Sequence, residues 1–475
     1  KLLPEVAGLR LEVIENEVPV NAARTEAVHA SRIFAEACWR SALGNLTCYD
    51  EVCNPAELAP VMADLGLDAA VVLGANWCFI DPALTDDIVR AHRSAPGSQQ
   101  LVFTQAAPGI APALVGRGLI EDLARQQHHA GPLATIGGLL GYAPSMARPD
   151  PITRAGCISV PTALRDLHVR CIPDTRARTR AMADALATLG SDPARLPTLA
   201  MAEAFAARLR PLASPSHVTV ELCTGRRIGG LRAAWLHGPG EPPERPAMSE
   251  SLARRCFSEL NDLRSGMPIT FGGAGDPLHH PRWAEMVRLA RSSGLGPAHL
   301  RTDLLCEAEE LGRLVECGAS IISVDLLAHS RATFARLSGL DAFDRVRSNT
   351  ERLVALARQR WQQAGGLGVP WIVPRITRCE AAAGEIEAFY DHWLSQCGAA
   401  VIDALPREVA GERFAPLPVP ALAMDRLSAR AMTVRSDGSI VIGGRVAGHL
   451  ERGGLAEAWK RTRRAQVSTF EAEAA

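Results

Sequence analysis

From about 216 to 405 the chain alternates short apolar runs with longer stretches of helical spacing. The runs are HVTVEL (217–222), PITF (268–271), HLRT (299–302), SIISVDL (320–326), PWIVPRI (370–376) and AAVIDAL (399–405). Between them lie stretches such as RWAEMVRLARSSG and FDRVRSNTERLVALARQRW, whose apolar positions recur with helical period. Short β-type runs separated by helices predict β/α units around a parallel sheet. About six such units in under 200 residues predict an open or partial barrel, with ligands at the carboxyl ends of its strands.

The pattern changes on either side. Residues 1–190 alternate strand-like and helix-like segments: AAVVLGA (69–75), DPALTDDIVRAHR (81–93), LVFTQA (101–106) and CISVP (157–161). An α/β layer fold with a mostly parallel sheet is expected there. Residues 191–215 are proline-rich and read as a linker carrying one helix. Residues 406–475 open with FAPLPVPAL, form a predicted hairpin TVRSDGSIVIGG (433–444) about an Asp-Gly turn, and end in a helix from about 453.

Composition narrows the classes. A chain of 475 residues, 47% hydrophobic and 22% charged, suits roughly three domains with sizeable cores. The formal charge of −1 gives no electrostatic footprint for nucleic acid or an anionic membrane. The basic run KRTRR (460–464) reads as a solvated helix end. No apolar segment approaches the ~18 residues a membrane span needs. The sequence starts at Lys1 with no signal-peptide pattern, so a cytoplasmic protein is expected. Of the 12 cysteines only Cys48 and Cys53 lie close together, and no local set of three or four thiolates can be written. They are expected to be reduced, mostly buried thiols.

FGGAGDPLHHP (271–281) is the most informative string. It follows a predicted strand and precedes a helix. Its glycines let the backbone approach a ligand closely, and Asp276 places a carboxylate where a ligand amine can be met. The string resembles the methionine-binding loop of radical S-adenosylmethionine (SAM) enzymes, where GGxGEP follows the second barrel strand. HLRTDLL (299–305) stands where that family has a Thr-Asn-Gly turn. The segment 320–353 resembles its fourth strand, Ser-x-Asp and Arg-x-x-Gly helix. The tail 432–459 is similar to a SPASM extension, which normally holds auxiliary iron–sulfur clusters. The resemblance spans about 216 to 465 and implies a partial (β/α)6 barrel with a SAM pocket at Gly272, Gly273, Asp276, Thr302, Ser323 and Asp325.

The departures are concerted. In VTVELCTGRRIGGLRAAW (218–235) the family's three cluster cysteines fall on Arg226, Gly230 and Ala233. Cys223 is out of place, and Ile442–Gly443–Gly444 of the tail carry no cysteine. No iron–sulfur cluster and no reductive cleavage of SAM are expected. Arg226 and Arg227 read either as residues that keep the barrel's shape or as contacts for an anionic ligand.

The first block resembles the nucleotidyltransferase/GT-A glycosyltransferase fold, Rossmann-like in layout. That resemblance implies carboxylates holding Mg²⁺ against phosphates, yet the central-strand position is Asn76, and an amide is a poor Mg²⁺ ligand. Asp81 and Asp174, with Asp50, are the remaining metal candidates, though Asp81 before Pro82 also reads as a helix cap. The order of the two halves resembles spiro-SPASM proteins. What this implies is a catalytically degenerate, non-radical binding or scaffold protein with a protein or peptide partner, such as a catalytic homologue, or a small-molecule ligand. Nucleotidyl or glycosyl transfer with Mg²⁺ and a nucleotide, and cluster-free SAM binding for methyl transfer or sensing, stand as alternatives.

Overall fold

The computed structural model describes residues 55–104, 106, 109–130, 156–165, 171–173, 176–189, 197–208, 214–229, 244–364, 368–397, 400–404 and 431–462.

In the first block the strands are β1 (Ala69–Val72), β2 (Leu101–Thr104), β3 (Ala113–Gly116) and β4 (Cys157–Ile158), in the order β1-β3-β2-β4. The helices are α1 (Pro55–Asp64), α2 (Pro82–Ser94), α3 (Arg117–Ala130) and α4 (Arg176–Leu189). The mostly parallel sheet expected here is not what the described strands form. β3 pairs antiparallel with both β1 and β2, and only β4 runs parallel to β2. The reason is connection length. Eight residues separate Thr104 from Ala113, too few for the crossover that a parallel neighbour requires, so the chain turns back. Asn76, expected at the end of a central strand, follows β1, which stands at the edge of the four described strands. Helix α5 (Thr198–Arg208), from the proline-rich segment, buries Met201, Ala202, Phe205 and Ala206 in this block's core. Phe205 meets Phe79 edge-on at 6.0 Å between ring centroids.

The barrel strands fall where the apolar runs predict them. They are β5 (His217–Val220), β6 (Ile269–Phe271), β7 (Ala298–Thr302), β8 (Ile321–Leu327), β9 (Trp371–Arg378) and β10 (Val401–Ala404). Each pairs parallel with its sequence neighbour, giving a six-strand ladder from β5 to β10. Between them run α6 (Glu250–Leu263), α7 (Trp283–Ser292), α8 (Ala308–Glu316), α9 (Arg331–Ser338) and α10 (Phe343–Ala364), and α11 (Ile386–Cys397) follows β9.

Alternation along each strand sorts the two faces. Val218, Val220, Ile269, Phe271, Leu300, Ile322, Val324 and Ile372 belong to one continuous apolar core, which includes Phe257 of α6, Trp283 of α7 and Leu314 of α8. Covering helices on that face account for its unbroken hydrophobicity. The alternate positions are mostly polar: His217, Thr219 and Glu221; Thr270; His299 and Arg301; Ser323 and Asp325; Arg375 and Thr377. Those residues line the concave side.

The tail completes this sheet. β11 (Ala431–Val434) lies parallel on β5, and β12 (Ser439–Ile442) and β13 (Arg445–His449) follow antiparallel, for nine strands in all. The predicted hairpin closes at Asp437–Gly438, where Gly438 takes φ +87° and Ser439 N donates to Asp437 Oδ1. Only a residue without a Cβ adopts that backbone cheaply. At the far side, α3 of the first block packs against α11 of the barrel. Among the described residues no helix is long and apolar enough to cross a membrane.

Candidate functional site

The carboxyl ends of β5 to β8 bring together the glycine-rich loop, two short loops and the start of the tail. Glu221, one residue past β5, is 2% exposed. Its Oε1 accepts Nε and Nη2 of Arg245 at 3.0 and 2.8 Å, and its Oε2 accepts Nη2 at 2.9 Å. Oε2 also accepts the Ala274 N–H at 3.1 Å, and Oε1 accepts Ser436 N and Oγ, each at 3.3 Å. One buried carboxylate thus ties the first strand, the glycine loop and the tail hairpin together. A bidentate, charge-assisted pair is the arrangement that offsets the desolvation of both ions.

The glycine loop is shaped from the backbone. Gly273 has φ +109°. A Cβ on Gly275 would press into the peptide after Cys223, 2.7 Å from its carbonyl carbon. Gly272 has ordinary room, its nearest neighbours being 3.7 Å away. Asp276 ends the loop as the cap of a short 3-10 turn (Pro277–His279). Its Oδ1 accepts Leu278 N at 2.9 Å, and its Oδ2 accepts Thr302 Oγ1 at 2.8 Å and Asp303 N at 2.7 Å. With three donors already on it, this carboxylate stitches the β6 loop to the end of β7. The next residue but one, Leu304, is fully buried and held at φ +54°, a left-handed conformation that strains a leucine by roughly 1–2 kcal/mol.

Arg226 fills the space beside this loop. Its side chain is 4% exposed. Nε donates to the Ala274 carbonyl at 3.2 Å and Nη2 to the Gly275 carbonyl at 3.1 Å. Nη1 donates to Asp303 Oδ1 and stands 3.9 Å from Asp325 Oδ2. Arg227 is exposed and donates to the Leu305 carbonyl at 2.8 Å. Each of the three guanidinium nitrogens of Arg226 thus donates to the protein itself.

Beneath the loop a polar chain crosses the concave face from strand to strand. His217 Nε2 meets Thr270 Oγ1 at 2.9 Å, Thr270 meets His299 Nδ1 at 3.1 Å, and His299 Nε2 meets Ser323 Oγ at 2.7 Å. Arg375 Nη1 donates to Ser323 Oγ at 3.4 Å. Asp325, fully buried, takes Arg301 side-on, with Nε 2.9 and 3.1 Å from its two oxygens and Nη2 at 2.8 Å. Arg375 Nε lies 3.8 Å from Asp325. Burial, with a smaller push from Arg264, brings the His217 pKa down to about 3. Burial together with Arg375, Arg301 and His217 holds His299 well below its ordinary value against the pull of Asp325. Both imidazoles are neutral links in this chain.

The pocket residues expected from the sequence therefore converge, and each carries a structural task. Gly272, Gly273 and Asp276 form the loop, Thr302 bonds Asp276, and Ser323 and Asp325 belong to the polar chain. Cys223 is a strand-end thiol donating to the Asp276 carbonyl at 3.2 Å, and burial with the nearby Asp276 pushes its pKa to about 11. Asp81 caps α2, accepting Leu84 N at 3.0 Å. Gly230, Ala233, Asp50 and Asp174 lie outside the described residues. Glu221, Arg245, Arg301, Arg375 and Ser436 were not picked out by sequence reasoning. The signal that marks most of them is a polar residue at every second strand position, as in His-x-Thr-x-Glu and His-x-Arg.

The residues at this loop do not fit a cluster held by thiolates. A guanidinium stands at the first of the positions that the resemblance gives to cluster cysteines, and the nearby Cys223 thiol is held protonated. Among the described residues no group of three His, Cys, Asp or Glu side chains is placed to hold a metal ion.

No protein-family model matches the chain. A GTP 3′,8-cyclase from Chlorobaculum tepidum is 31% identical over 114 residues, which are 23% of this chain and 34% of that protein. The chain thus spans about a third of the length of that curated relative. Similar solved structures include Streptococcus suis SuiB bound to S-adenosylmethionine, with 12% identity, a TM-score of 0.39 and coverage of 56% of this chain and 70% of SuiB. Native anSMEcpe with bound AdoMet and a peptide has 12% identity and a TM-score of 0.35, covering 51% of this chain and 80% of that one. The local sequence match relates the chain to the radical SAM superfamily.

Proposed function

We propose that this protein is a non-radical relative of the radical SAM enzymes that works as a binding or scaffold component beside a protein or peptide partner. The observation that carries the reading is Arg226. It stands at the first of the positions where the resemblance places cluster cysteines, and three of its nitrogens are anchored to Ala274, Gly275 and Asp303. A cationic side chain seated there excludes an iron ion from the same space and repels a sulfonium brought to the same loop. Asp276 supports the reading too, since its carboxylate is engaged by Leu278, Thr302 and Asp303. A ligand amine would have to compete with those donors. Cluster-free SAM binding is disfavoured for the same reason. Transfer chemistry in the first block has no support from Asp81, whose carboxylate caps α2.

The barrel is nonetheless intact, with its six parallel strands in sequence order and its tail hairpin in the same sheet. A framework kept without its redox machinery suits recognition rather than turnover. The test is incubation of the reconstituted full chain with SAM and a strong reductant. No reductive cleavage of SAM is expected, and cleavage above a protein-free control would refute the reading.

A further inference from the structure

The surroundings of Arg226 are those of a receptor as much as of a salt bridge. Two consecutive peptide carbonyls, of Ala274 and Gly275, face Nε and Nη2 along one edge of the guanidinium, and the Asp303 carboxylate faces Nη1 from another. Three acceptors around a planar fork match a guanidinium and not a tetrahedral ammonium. The acceptors are fixed independently of Arg226. Gly275 is packed on the peptide after Cys223, Ala274 N is held by Glu221, and Asp303 N is held by Asp276. The Asp303 side chain, 1% exposed, brings a buried negative charge to the Nη1 edge of the fork. The fork is carried on the short loop between Gly225 and Gly229, whose neighbour Arg227 is exposed.

We propose that the Ala274 and Gly275 carbonyls with Asp303 form a preorganised guanidinium site that Arg226 fills in cis, and that accepts an alkylguanidinium, such as an arginine side chain, when Arg226 is absent or withdrawn. The proposal rests on the same placement of Arg226 as the functional reading, and extends it by naming the ligand class. A partner recognised through this site presents an arginine rather than a lysine.

The experiment is chemical rescue in the full chain. In Arg226→Ala, millimolar methylguanidinium is expected to raise the melting temperature by about 3 °C, while the wild-type protein, its site already filled, shows no rise. Methylammonium, with equal charge and no fork, is expected to do little. Equal rescue by both cations, or rescue by neither, overturns the proposal. Where Arg226→Ala does not fold unaided, the yield of soluble protein on refolding with each cation gives the same readout. The double variant Arg226→Ala/Asp303→Asn, which buries no unmatched charge, is expected to fold and to lose the response. A response of full size in the double variant would remove Asp303 from the site and overturn the proposal. Cleavage of SAM by the wild-type chain would end the functional reading without altering the rescue result.

Discussion

Gly272 and Gly275 belong to one loop and answer to different neighbours. A Cβ at Gly272 meets nothing closer than 3.7 Å, whereas at Gly275 it meets the backbone after Cys223, which has no rotamer to give. Gly272→Ala is therefore expected to change stability by less than about 1 kcal/mol, and Gly275→Ala to destabilise by more than about 2 kcal/mol. Urea denaturation of the two variants checks this, and comparable losses would show that the loop is not shaped as described. Glu221 makes a second contrast at this scale. Glu221→Gln keeps the size and removes the charge that holds Arg245, Ala274 and Ser436. A loss of about 3 kcal/mol is expected, because the Arg245 guanidinium, 11% exposed, is left without its carboxylate.

At the scale of elements, α9 shows a helix start held by a distant carboxylate. Glu385 accepts the N–H groups of His329 and Ser330 at 2.7 and 3.0 Å and the hydroxyls of Ser330 and Thr333, each at 2.6 Å. Burial pushes its pKa up, and these hydrogen bonds together outweigh that and hold it below the ordinary value. A carboxylate with a lowered pKa stabilises the fold above its unfolded pKa, and that contribution disappears as pH falls through the folded one. Glu385→Gln should thus cost about 1 kcal/mol near pH 7, and the gap to wild type should narrow below about pH 4.5. Denaturation midpoints measured across that range check it, and a gap independent of pH would contradict it.

Elements were legible in the sequence in unequal measure. The six barrel strands could be read because each is an apolar run between helical stretches, and the hairpin because Asp437–Gly438 demands it. The pairing of the first block's sheet was not, since strand direction depends on a connection length that no apolar pattern encodes. In the candidate site, Gly272–Asp276 stood out by its turn chemistry. The polar chain through His217, Thr270, His299 and Ser323 did not, because it joins residues on four strands that touch only once those strands pair in register. The role of Arg226 was likewise hidden, as its partners lie 48 to 77 positions away.

At the scale of the whole molecule, the concave polar face predicts an acid-sensitive fold. His217 is neutral when folded, with a pKa of about 3, and titrates at its ordinary value when unfolded. The unfolded chain then binds the extra proton between those values, so stability falls as pH drops from about 6.5 towards 3, by on the order of 4 kcal/mol from this residue. His299 adds in the same direction. Equilibrium unfolding of wild type and His217→Gln across that range is expected to give a shallower acid slope in the variant, and parallel slopes would contradict the assignment. The tail matters at this scale as well. Because β11 pairs with β5 and Ser436 bonds Glu221, deletion of 431–475 bares the outer edge of β5, and a large loss of soluble protein is expected.

The central claim, that a guanidinium stands in place of cluster chemistry in a barrel of six parallel strands, is tested most directly by anaerobic reconstitution of the full chain with iron and sulfide, followed by their quantification. The account predicts iron and sulfide well below one equivalent per chain and no cluster absorbance. Near-stoichiometric cluster, surviving desalting, would contradict it.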